Sequence, residues 1–230
     1  MRSVSTAARD ADVVVIGAGH NALICAAYLA QAGVEVVVLE ARHVVGGNTV
    51  TEELTLPGFQ HDSCSSAHVL IQANPVIRDD ELGLLSTYGL SYVKTDPAVV
   101  LPQPDGDALV VHRDLDATVA EIARFSPEDA REFHAAMTEW ESGLAAAHAR
   151  WNDGGDTGDG SRAYERLRLR CAWDVVHERF QHPVVRDALL WLAFATIQSP
   201  HRPGTGALPS AITAGRFRPG WATPVGGPGP

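Results

Sequence analysis

Residues 12–40 read "DVVVIGAGHNALICAAYLAQAGVEVVVLE". Val13 to Ile16 is a continuous apolar run, the pattern of a parallel-sheet strand buried on both faces. Gly17-Ala18-Gly19-His20-Asn21-Ala22 follows. Leu23, Ala26, Ala27 and Ala30 then recur at helical spacing up to Gly33, a natural residue for the position just beyond a helix end. Val34 to Leu39 is a second apolar strand, and it ends in Glu40. The stretch predicts a β-α-β unit with G-x-G-x-x-A in the first turn and an acid about 20 residues on.

Each element of that pattern has a physical task. Gly17 permits the tight turn from strand to helix. Gly19 has no side chain, so a pyrophosphate can approach the backbone. Ala22 is small enough for the helix to lie close to the strand. The helix N-terminus, at Ala18 to Asn21, offers free N–H groups and the positive end of a dipole to the phosphates. Glu40 is placed to accept hydrogen bonds from ribose hydroxyls. Gly46-Gly47 follow Glu40 by six and seven residues and let the backbone pass close to a second part of a long dinucleotide. That pair argues for FAD over an NAD-only domain.

Composition narrows the class. There are 18 Lys and Arg against 28 Asp and Glu, a formal charge of −10, which argues against a nucleic-acid partner. The three cysteines, Cys25, Cys64 and Cys171, are odd in number and widely spaced. They suggest neither a disulfide framework nor a zinc site, and they fit a reducing, cytoplasmic setting. No apolar run reaches the length of a membrane span.

The run from Val13 to Gly47 resembles the FAD fingerprint of the phytoene desaturase-like and amine oxidase superfamily, with Ala22 a common variant of the third glycine. "EARHVVGGN" (40–48) resembles its E-A-R-x-x-x-G-G element. In that family Glu40 binds the adenosine ribose, and Arg42, next to Ala41, lies near the adenosine and phosphate portion. Asn48 stands where many amine oxidases carry Arg. Pro57-Gly58-Phe59 and His61-Asp62-Ser63-Cys64-Ser65 turn the resemblance toward the branch that includes pyridine nucleotide-disulfide oxidoreductase domain-containing protein 2. It continues through residues 101–133 and returns at "GWATPVGG" (220–227). It implies an FAD-dependent desaturase or dehydrogenase in which the flavin takes hydride from an apolar small-molecule substrate. A flavin needs no protein nucleophile, and no catalytic residue or metal ligand is assigned. The other reading is a nucleotide- or partner-binding remnant without turnover.

The organisation expected is α/β: a Rossmann-like FAD-binding start followed by a mainly helical, partial substrate domain with a small β hairpin. Residues 1–11 read as a leader, 12–72 as an incomplete FAD-binding segment, 73–215 as the partial substrate domain and 216–230 as a linker tail. One helix is expected over 74–89 with Asn74 as N-cap, a hairpin over 98–111, and helices over 114–125, 126–151, 163–180 and 183–197. Residues 152–161 read as a polar loop. Trp173, Trp191 and Phe194 read as core, as does Cys64 within a hydrogen-bonded His61–His68 turn. In the family, "GWxxPxGGxG" lies mid-chain, so the resemblance implies an N-terminal half that a complementing C-terminal-half chain would complete.

Overall fold

The computed structural model describes residues 10–155 and 161–227. Most of the expected leader, the middle of the polar loop and the last three residues lie outside them. The chain divides into two compact units. One runs up to Val93 and takes in the residues from Ala222 onward; the other is Lys94–Trp221.

In the first unit, β1 (Val13–Ile16), α1 (His20–Gln31) and β2 (Val36–Leu39) form the expected β-α-β. The strands are parallel, with Val13 opposite Val36 and Ile16 opposite Leu39. Gly33 follows the end of α1 at φ 84°, and the Val34 N–H reaches back to the Leu29 carbonyl. The expectation of a strand buried on both faces is overturned. Val14 is 54% and Ile16 87% exposed, because α1 covers one face and the alternate residues point away from it. On α1 only Ala26 is buried; Ala27 and Ala30 are exposed.

A hairpin follows, with β3 (Thr51–Glu53) antiparallel to β4 (Gln60–Asp62). A 3₁₀ turn over Leu70–Ala73 leads into α2 (Pro75–Arg78). Asn74 caps α2 as expected, accepting from the Val76 N–H at 3.1 Å. The helix expected over 74–89 ends after four residues. Asp80, at φ 51°, turns its carboxylate onto the Leu85 and Ser86 N–H groups, and that local bonding competes with the helix. The unit closes with β5 (Tyr92–Lys94), paired with the strand Ala222–Pro224. The expected linker tail is therefore built into the fold through residue 227. Ala222 is fully buried, its carbonyl takes the His68 N–H at 2.8 Å, and the Val225 N–H reaches the Ser91 carbonyl. The compact unit containing this strand runs to Val93.

The second unit opens with the expected hairpin, β6 (Val99–Pro102) on β7 (Ala108–Val111). α3 (Leu115–Phe125) is capped by Asp114 and α4 (Pro127–Glu139) by Ser126. The helix expected over 126–151 is interrupted by a π-helical turn at Trp140–Leu144, where Gly143 leaves helical geometry; α5 (Ala145–Asn152) resumes it. The helix expected over 163–180 is two, α6 (Ser161–Leu169) and α7 (Ala172–Arg179), because the Cys171 thiol caps the second. α8 (Pro183–Phe194) and α9 (Leu208–Ile212) complete the unit. Its main core gathers Leu109, Ile122, Phe133, Met137, Val176 and Leu189. Asp129 is 1% exposed and accepts from the Gln181 and His182 N–H groups at 2.9 and 2.7 Å, so α4 holds the α7–α8 connection. Trp173, Trp191 and Phe194 are not core: all are exposed, Phe194 at 61%. Trp173 instead stacks on the His177 ring at 4.0 Å.

Candidate dinucleotide site

The two glycine turns meet over the N-terminus of α1. The Gly46 N–H donates to the Ala18 carbonyl at 2.7 Å, and Gly19 and Gly46 pair as an isolated parallel bridge. Gly46 sits at φ 113°, and a Cβ there would lie 2.4 Å from the Thr49 carbonyl oxygen. A Cβ on Gly47 would lie 3.1 Å from the Gly19 Cα. Both glycines of the second turn are thus required by the protein itself.

Gly19 is different. Its φ is −70°, which any residue adopts, and a Cβ built on it meets nothing within 4 Å. Neither backbone strain nor packing calls for glycine there. That Cβ would project into open space beside a groove of about 380 Å³, lined by Ile16, Gly17, Gly19, His20, Asn21, Ala22, Gly47 and Asn48. The groove is of the size of small-molecule sites. α1 carries no side-chain cap, so its first-turn N–H groups and dipole are available to an anion. A bare Cα beside an uncapped helix N-terminus fits a dinucleotide pyrophosphate.

Seven of the twelve expected residues line this groove. The other five back it. Glu40 ties the first turn to the end of β2: its Oε2 accepts from the Ala18 N–H at 2.6 Å and its Oε1 from the Arg42 N–H at 2.9 Å. Those bonds, led by the one from Arg42, hold the Glu40 carboxyl below the usual carboxylate range. Arg42 reaches the Gly47 carbonyl at 3.4 Å and the Glu52 carboxylate at 3.5 Å. Ala41 lies exposed between them and adds its N–H to Glu40. Ala18 is buried and Gly46 is spent on the turn contacts.

Thr49 was not legible as a site residue. Its Oγ1 lies 3.2 Å from the His20 Nδ1, and its N–H donates to the Gly46 carbonyl at 3.0 Å. It links the second glycine turn to the first residue of α1. Its place two residues after Gly47 was the available signal.

The His61–His68 cluster is hydrogen-bonded: Thr51 donates to Asp62 at 3.0 Å, Thr55 pairs with His61 at 2.8 Å, and His68 pairs with the Tyr92 hydroxyl at 3.3 Å. Burial pushes the His68 imidazole down from its ordinary value. The expectation of a core Cys64 is overturned; the thiol is exposed. Among the described residues no group of three His, Cys, Asp or Glu side chains is arranged to hold a metal ion. None of the described helices is long and apolar enough to cross a membrane.

Residues 15–80 match the NAD(P)-binding Rossmann-like domain family. The chain is 41% identical over 132 residues to a limonene dehydrogenase subunit of Castellaniella defragrans, a match covering 57% of this chain and 23% of that protein. It is 40% identical over 129 residues to pyridine nucleotide-disulfide oxidoreductase domain-containing protein 2 of Mus musculus, covering 53% and 21%. The matches thus span under a quarter of these relatives' lengths. Among solved structures, putrescine oxidase bound to putrescine superposes with a TM-score of 0.61 at 18% identity, over 94% of this chain and 46% of that one; it shares the fold. Residues 15–80 of this chain thus match an NAD(P)-binding Rossmann-like domain, and the chain as a whole shares the fold of the solved FAD-type oxidase it superposes on.

Proposed function

We propose that the chain is the cofactor-binding part of an FAD-dependent oxidoreductase of the desaturase or dehydrogenase kind, acting on an apolar small molecule. The observation that carries the reading is Gly19: a glycine that neither backbone nor packing requires, with its missing Cβ directed into open space beside the groove at an uncapped helix N-terminus. The second glycine turn, held against the first, supports a long dinucleotide over a mononucleotide. When bound, FAD supplies the hydride acceptor. The chain's own part is to seat it. The α1 N-terminus and Gly19 would take the pyrophosphate, and the free lone pairs of Glu40 would take the adenosine ribose. Arg42, over the Gly47 carbonyl, would steady the adenosine side, and Asn21 and Asn48 would offer amide groups along the groove.

A complementing polypeptide belongs to the same reading. Ile16, Val14 and Leu39 are exposed on a two-stranded sheet, and apolar sheet faces with open edges favour association. The limonene dehydrogenase relative is itself named as a subunit. A cytoplasmic setting accords with the three free thiols. The alternative is a nucleotide- or partner-binding module without turnover, which the same exposed sheet favours. Purification alone and with a candidate C-terminal-half chain tests both. A yellow preparation that oxidises an apolar alkene or alcohol with flavin bleaching supports the oxidoreductase. A flavin-loaded complex that no such substrate bleaches supports the module, and a preparation that takes up no flavin in either form contradicts the FAD reading.

A further inference from the structure

The groove's polar lining contains one side chain able to carry positive charge. Of the residues that line it, His20, Asn21 and Asn48 have polar side chains, and only the imidazole can be a cation. His20 is exposed and is the first residue of α1. Its Nδ1 is engaged by Thr49 Oγ1 at 3.2 Å, while its Nε2 has no partner among the described residues. Thr49 is itself fixed by its N–H bond to the Gly46 carbonyl, so the second glycine turn orients the ring.

Resting on the FAD reading above, we propose that His20 is the charge-bearing contact for the cofactor's pyrophosphate, donating from Nε2–H while Thr49 holds Nδ1. Two states of the ring satisfy this geometry. In the neutral ring Thr49 O–H donates to Nδ1 and the proton sits on Nε2. In the imidazolium Nδ1–H donates to Thr49 and Nε2–H remains. The third state, with a bare Nε2, would set a lone pair against an anion. Both productive states offer a donor, and the protonated one adds charge.

The groups around the ring leave that charge to His20. His68 is close enough for its charge to oppose that of His20, but burial holds it neutral to lower pH. Asp62, the acid near His68, is engaged by Thr51. Asn21, Asn48 and Thr49 do not titrate. A pyrophosphate diester is dianionic in mild acid as in mild alkali, so a proton on the ring adds an ionic contact to the hydrogen bond. FAD binding should therefore be tighter in mild acid than in mild alkali.

The test is FAD titration of the 230-residue chain, followed by flavin fluorescence at mildly alkaline and mildly acidic pH. Wild type, His20→Ala, His20→Gln, Thr49→Val and Gly19→Val are compared, with melting curves as a folding control. Wild type should bind more tightly in acid. His20→Ala should lose about tenfold or more in affinity and bind equally at both pH values. His20→Gln should recover part of the loss, with no pH response, and Thr49→Val should lose about threefold. His20→Ala binding as wild type does would overturn the proposal and leave the FAD reading standing. So would a His20→Ala loss that keeps the wild-type pH response, since the ring would then act only structurally. Wild type taking up no FAD at either pH, alone or with a complementing C-terminal-half chain, would overturn both.

Discussion

Gly47 rests on Gly19 so closely that a Cβ on the former would lie 3.1 Å from the Cα of the latter. The two glycines have different reasons for being glycine, and substitution should separate them. Gly47→Ala strains a backbone at φ 64° and pushes the turns apart. It should lower both the melting temperature and FAD affinity. Gly19→Val adds a side chain in open space at φ −70°, so stability should change little while FAD binding is lost. Equal FAD binding by Gly19→Val and wild type would contradict the assignment of this turn.

Glu40→Ala frees the Ala18 and Arg42 N–H groups and removes the ribose acceptor. FAD affinity should fall roughly tenfold, the size expected for losing bonds to a charged acceptor. The Glu40 carboxyl titrates below its ordinary value in the fold, so its stabilisation is complete above the ordinary carboxylate range and fades as pH falls through it. Melting temperature against pH should show a shallower acid slope in Glu40→Ala than in wild type. Unchanged FAD titration in the variant would make Glu40 a bystander at the strand end.

How much of this was legible depended on whether the code was local. The β-α-β unit from Val13 to Leu39 was readable because apolar runs, a glycine turn and Gly33 agree. The cap Asn74 was readable for the same reason, since it bonds only two residues on. The fate of 79–89 was not, because Asp80 wins its helix-stopping bonds only at a positive φ. The strand Ala222–Pro224 was hidden because its partner lies about 130 residues earlier. The exposure of Val14 and Ile16 was not in the strand pattern, which states what a residue prefers; it followed from the lack, in the rest of the sequence, of further strands to cover those apolar faces. The groove lining was legible from the motif, but Thr49 became visible only through its contact with His20.

In the second unit, Asp129 should matter to stability alone. Its buried carboxylate takes two backbone N–H groups across the α7–α8 connection. Asp129→Ala should destabilise the protein by about 3 kcal/mol, the scale for two charge-assisted bonds left without an acceptor. Urea denaturation measures it. A loss below about 1 kcal/mol, the size of one ordinary hydrogen bond, would mean the connection is held by packing.

His148 joins α5 to α6 through its Nδ1 contact with the Tyr164 hydroxyl at 2.8 Å, with Asn152 at 3.0 Å from its Nε2. Burial pushes its imidazole down from the ordinary value. The unfolded chain therefore takes up this proton before the folded one does. The contribution is whole above the ordinary imidazole range and is lost as pH falls below it. Stability should decline through mildly acidic pH in wild type and less so in His148→Phe. Equal declines would remove His148 from the acid response.

The central claim is that the groove over the α1 N-terminus takes FAD, and calorimetric titration of the 230-residue chain with FAD and, separately, with NAD tests it most directly. The expected result is saturable one-to-one binding of FAD, weaker or no binding of NAD, and loss of the FAD signal in Gly19→Val at unchanged melting temperature. Saturation by NAD with no uptake of FAD, or FAD uptake that Gly19→Val leaves intact, would contradict it.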